Sequence, residues 1–243
     1  MDPLTISAAG GMRSRMESLD MLANNIANTS TGGYKADREF YSLYAAPEAA
    51  GAISGPDTLP VIERPWTDFS QGELRPTGNP LDLALAGKGF FSVNGADGPL
   101  YTRDGSFRVS AAGQLVTADG YAVRGVDGDP IALSSASPVE ISPDGTVLQD
   151  GQTTGQLAIV DFANPAVLRK QGHNYFQPAA DGSAVPAAGY AVQQGKLENS
   201  NASSAEAAVR LVSVMRQFEM LQKAAALGGE MNRKAVEEVA RVS

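Results

Sequence analysis

Apolar residues recur with a helical period at both ends of this chain and with a strand-like period in between. Near the start, Met12, Met16, Leu19, Ala23 and Ile26 fall at alternating spacings of four and three. That is the pattern of a helix burying one narrow stripe against another helix. A helix is expected over residues 4–28, weakened early by Gly10-Gly11. It runs into Asn24, Asn25 and Asn28, then Thr29, Ser30, Thr31, Gly32 and Gly33. Short polar side chains compete for backbone partners and glycine accepts positive φ, so the helix stops there and Tyr34 restarts an extended segment. The far end mirrors this. Leu211, Met215, Phe218, Gln222 and Ala225 repeat the four-and-three spacing, and Ser203 with Glu206 offers a capping box. Gly228-Gly229 is expected to break or bend that second helix before a polar tail.

Between the helices the texture is β. Residues 34–78 read as an extended linker region with at most short strands, rich in proline at Pro47, Pro56, Pro60 and Pro65. From Trp66 to about Gly195, Asp-Gly pairs at 97–98, 104–105, 119–120, 127–128, 144–145, 150–151 and 181–182 separate short apolar or alternating runs. Asp-Gly between such runs signals hairpins with type I′ turns. The expected fold class is α+β: N- and C-terminal helices pairing as a coiled coil, with a central antiparallel β-rich domain held to one side. Its parts are residues 1–33, 34–78, 79–195 and 196–243. Neither helix is secure alone, and the pair would still expose apolar surface that invites neighbouring copies.

Charge narrows the partners. The net charge of −8 resides in residues 41–195, with eight basic and sixteen acidic side chains, while both ends are nearly neutral. No basic stripe exists to neutralise phosphates, which argues against nucleic acid. The absence of cysteine removes disulfides and thiolate metal sites and suits an exported protein. The N-terminus lacks the apolar core of a cleaved secretion signal, and no stretch is long enough to insert in a membrane.

Candidate chemistry is sparse. Gly87-Lys88-Gly89-Phe90-Phe91 superficially resembles a phosphate loop but lacks the third glycine and the Lys-Ser/Thr pair, so it reads as a turn into a buried strand. Asp82 and Asp104 could form a glycosidase pair, yet most carboxylates here precede glycine, where turn bonding explains them. Asp127-Gly128-Asp129 lacks the remaining oxygen ligands of a calcium loop. His173, in the polar run Gln171 to Tyr175, reads as a turn residue, and Met12, Met16 and Met215 as packing residues. No catalytic, cofactor-binding or metal-binding set emerges. Asn28 is explained by capping. Asn24 and Asn25 lower helix propensity, and amide bonds between helices or subunits that fix register are the expected offset.

The run Ala23-Asn24-Asn25-Ile26-Ala27-Asn28, with Thr31, Gly33, Tyr34 and Lys35, resembles the N-terminal signature of the bacterial flagellar rod and hook proteins, departing from it at Gly32. Phe69 to Ala84, Tyr101 to Phe107, Gly113 to Thr117 and Gly195 to Asn201 resemble further blocks of that family in collinear order. Arg216-Gln217-Phe218-Glu219-Met220 resembles its proximal-rod member. The resemblance implies a structural subunit of the flagellar basal-body rod, exported through the flagellar type III apparatus. It would assemble with other rod proteins and copies of itself, helices inward and β domain outward. The apolar seams of the termini lack full partners in one chain, so the termini are expected to be disordered until then. A distal rod or hook-like subunit is the alternative, and a secreted β-rich adhesin or carbohydrate-active enzyme a remote one.

Overall fold

The computed structural model describes residues 3–39, 41–45, 58–62, 66–134, 137–179 and 182–242; Pro47, Pro56, Pro65 and Asp181, singled out in the sequence, lie outside them. Along the chain, a helix precedes and a helix succeeds a series of short strands: α1 is Pro3–Ala27 and α2 is Ser204–Val242. Every strand pairing among the described residues is antiparallel. The class is therefore α+β, as the periodicities require.

The chain forms two compact units. One comprises residues 1–27, 37–67 and 203–243; the other comprises 28–36 and 68–202. In the first, α1 and α2 lie against each other, and the hairpin Tyr41–Ala45 with Thr58–Ile62 runs beside α1. The Ser203 hydroxyl accepts the Glu206 N–H at 3.3 Å, supplying the expected N-cap of α2.

The second unit centres on a six-stranded sheet. Its order is Leu168–Lys170, Tyr175–Pro178, Gly98–Thr102, Phe90–Gly95, Ile159–Asp161, Val185–Pro186. Successive strand residues point to opposite faces, so Phe90 and Phe91 serve different cores. Phe91 packs with Leu83, Val93, Leu115 and Leu157, whereas Phe90 joins Tyr101, Phe162 and Phe176. The aromatic cluster packs edge to face, with Phe90–Phe176 centroids 5.8 Å apart. The turn at Gly87–Gly89 does lead into a strand whose first two residues are buried.

Two expectations need correction. Only Asp150-Gly151 has both residues at positive φ, as a type I′ turn demands. The first hairpin instead turns through Ala96-Asp97, since Gly95 pairs with Gly98. Gly105 is required by close approach, because a Cβ there would lie 1.7 Å from the Leu83 carbonyl oxygen. Asp104 and Asp144 bond the N–H groups of Ser106 and Thr146 through their side chains, which serves a turn without positive φ at the aspartate. The second correction concerns α2, which runs unbroken through Gly228-Gly229. Gly228 is buried and continues a seven-residue row with Ala207, Val214 and Leu221, so packing there offsets that glycine's propensity cost of about 1 kcal/mol.

Candidate functional site

The helix pair of the first unit has two unlike faces. The buried face of α1 is Ala8, Gly11, Ser14, Ser18, Leu22 and Asn25. It is shifted by about one position from the expected seam of Met12, Met16, Leu19, Ala23 and Ile26. Of these, Met12, Leu19 and Ile26 are half-buried, Ala23 is exposed, and Met16 is 55% exposed. Small residues let helix axes approach, and large ones then flank the line of closest contact. At Gly11 the fit is tight, for an added Cβ would meet Leu221 Cδ1 at 3.1 Å. On α2, Leu211, Phe218 and Ala225 are half-buried beside the inward row, and Met215 is exposed.

The opposite face of α2 is apolar and open. Val209, Val212, Met220, Leu227 and Met231 are exposed, Met231 at 71%. An open groove along it is lined by Val209, Val212, Met220 and the stems of Arg216 and Gln217. Two helices of 25 and 39 residues cannot cover each other fully, so the last turns of α2 outrun α1 by about 20 Å.

Asn25 is buried and bonds to main chain of its own unit. Its amide nitrogen donates to the Asp37 carbonyl at 2.8 Å, and its carbonyl oxygen accepts the Asp37 N–H at 3.0 Å. The side chain thus bonds like a strand neighbour, tying the last turn of α1 to Asp37 within the same unit. Asn24 is exposed on the other side of the helix.

In the second unit, the remaining motif residues converge. Asn28 closes the turn after α1, its carbonyl accepting the Thr31 N–H and its side-chain oxygen the Thr31 hydroxyl. Gly33 sits at φ +66° and Tyr34 is buried under the Lys170 ammonium, 4.4 Å above its ring. A buried ion cluster beside them escaped the reading of the sequence. Lys35 is 0% exposed, and its ammonium donates to Glu198 Oε1 at 2.6 Å and to the Ser70 carbonyl at 2.7 Å. Glu198 Oε1 also accepts the Gly72 N–H at 2.8 Å, and Oε2 pairs with Arg103 at 3.3 Å. The Arg103 guanidinium donates to the Gly87 carbonyl and lies 5.4 Å over the Phe90 ring. Burial pulls the Lys35 and Arg103 pKa values down, with Glu198 opposing in both cases. Asn201 completes the set, accepting the Ala36 N–H and donating to the Asp68 carbonyl. The signal available in the sequence was that Lys35, Arg103 and Glu198 are charges set inside otherwise apolar or turn-rich motif blocks.

No group of three or more potential metal ligands occurs among the described residues. Asp82 is held by Asn79, and Asp104 by Ser106, as turn partners. His173 is exposed in a turn at φ +44°. These side chains tie segments of the chain that are distant in sequence.

The fold thus has paired terminal helices and a β unit closed by segments from near both ends of the chain. Three family profiles match in order. They are described as flagella basal body rod protein (residues 7–35), flagellar hook protein FlgE/F/G D1 domain (84–149) and flagellar basal body rod FlgEFG protein C-terminal (193–238). The chain is 36% identical to flagellar basal-body rod protein FlgG of Agrobacterium fabrum, over 92% of this chain and 94% of that protein. It is 31% identical to FlgF of Caulobacter vibrioides over 93% of each, and 32% identical to FlgG of Bacillus subtilis over 89% and 91%. The chain belongs to the flagellar basal-body rod protein family, whose members are structural subunits of the flagellar basal body.

Proposed function

We propose that this chain is a proximal-rod subunit that polymerises with copies of itself and with other rod proteins after passage through the flagellar export apparatus. The observation that carries the assembly is the open apolar face of α2, on which Val212, Met220, Leu227 and Met231 are exposed. Exposed rows of this kind on a helix mark docking surfaces. A filament needs head-to-tail contacts that do not close, and an unmatched helix end supplies one half of such a contact. In this reading α1 and α2 coil on one another, and Met16, Ala23 and Met215, exposed in the single chain, meet neighbouring copies.

The proximal position rests on Arg216-Gln217-Phe218-Glu219-Met220 and on the FlgF relative. The higher identity to a FlgG relative favours a second reading, in which the chain takes the place of FlgG. Deleting the gene and imaging isolated basal bodies separates them, for the stage at which the rod stops differs between the two. Complete rods and hooks in a motile mutant would remove both.

The helix pair buries mainly small side chains, so we also propose that it opens readily before assembly. Amide exchange at Leu19 and Phe218 in the isolated chain is then fast. Protection there equal to that at Leu115 would contradict this.

A further inference from the structure

The central unit is closed by its last residues. Glu198 lies 163 residues from Lys35, yet their side chains meet with no solvent exposure on either. The same short segment supplies the main-chain seals: the Gly33 N–H donates to the Glu198 carbonyl at 2.7 Å, and the Asn199 N–H to the Glu73 carbonyl at 2.8 Å. Asn201 then ties Ala36 to Asp68, and Lys196–Glu198 pairs with Leu74–Pro76. Most other pairings in the unit join strands close in sequence, such as Phe90–Gly95 with Gly98–Thr102 and Thr146–Gln149 with Gln152–Gln156. Near neighbours close cheaply and early; distant ones must wait for the chain.

We propose that Glu198 is the locking residue of a clasp, so that residues 28–36 and 70–72 stay open until the segment 196–201 docks. The reason is electrostatic. Lys35 and Arg103 are two buried cations, and Glu198 is the one anion bonded to both among the described residues. Asp68 and Asp161 act on them only through weaker charge interactions. Burying either cation before the carboxylate arrives would leave it uncompensated, which a folded interior does not tolerate. The clasp therefore cannot close on the N-terminal motif alone. A chain presented from its N-terminus keeps that motif accessible until almost all of the central unit has been delivered. The lock stands apart from the rod reading, because it is tested on the isolated full-length chain.

The experiment is native-state amide exchange on full-length protein carrying Glu198→Gln, which keeps shape and an acceptor for Gly72 while removing the charge. The amides of Gly33, Gly72 and Asn199 should exchange at least about 100-fold faster, with Leu115 and Ile131 in the main core unchanged. Wild-type protection at Gly33 and Gly72 would overturn the lock, as would equal loss at Leu115, which would make Glu198 one core residue among many. If the variant does not fold, adding Lys35→Met decides the matter. Refolding of the doubly substituted chain supports an uncompensated charge as the cause, and continued unfolding overturns it.

Discussion

The helix pair and the clasp bury opposite kinds of surface. Between α1 and α2 the line of contact is small and mostly apolar or hydroxylic, and several large apolar side chains remain outside. In the clasp the charges are inside, and each finds a partner far away in sequence. A buried ion pair yields little net stability, because desolvation offsets the attraction, but breaking it costs much. An open apolar row does the reverse: it contributes nothing to the single chain and much to a complex. The central unit is thus closed within one molecule, whereas on the proposed reading the helix pair is completed by neighbouring copies.

The two glycines at these contacts give the largest contrast. A Cβ on Gly72 would lie 2.1 Å from the Asn199 carbonyl oxygen, which is backbone and cannot move aside. Gly72→Ala should destabilise the central unit by more than about 3 kcal/mol in denaturant titrations. Gly11→Ala meets the end of a flexible leucine, and the gain in helix propensity of about 1 kcal/mol should nearly cancel the crowding. If both substitutions cost the same, the distinction between a locked unit and an adjustable one fails.

Asn25→Ala comes next. It removes two hydrogen bonds to the main chain of Asp37, for a loss of about 2 kcal/mol. The loss should appear in the melting of the isolated chain. A variant that melts normally but fails only in basal bodies would return Asn25 to a role between subunits.

These sites differ in how far the sequence disclosed them. The helices were plain, expected at 4–28 and found at Pro3–Ala27, because a 3.6-residue period survives small errors of phase. The phase itself was displaced. Counting large apolar residues picks out Met12 and Met16, while the contact line is set by Gly11, Ser14 and Ser18, whose merit is what they lack. The β texture was legible and the pairings were not, since the core strand Leu83–Ala86 pairs with Ala191–Gln194, over a hundred residues on. The clasp escaped for the same reason. Hydrophobic patterning expects charge at the surface, and nothing local to Lys35 announces Glu198.

Substitution on the open face of α2 separates stability from assembly. Val212→Asp with Met220→Asp should leave the unfolding free energy of the isolated chain within about 0.5 kcal/mol, because both residues are at least half exposed. Rod formation, read from isolated basal bodies, should be lost. Normal rods would place the docking surface elsewhere, and a large drop in stability would mean that the face is already occupied within the chain.

The finest distinction lies beside the clasp, at Asp104. Burial raises its pKa above the usual carboxylate value, with the Ser106 N–H bond opposing. The folded state therefore holds this proton more tightly than the unfolded chain does. The resulting stabilisation is full below the unfolded pKa and is lost as pH rises through the folded one, so ionised Asp104 is a small burden at neutral pH. Asp104→Asn keeps an acceptor for Ser106 and cannot ionise. Its stability relative to the parent should rise across that window, from pH about 4 upward, and level off beyond it. Parallel pH profiles for the two proteins would show that the carboxylate is solvated well enough to escape the cost. The comparison would then sharpen to one point: the deepest charges of the central unit lie where Glu198 and its two cations meet.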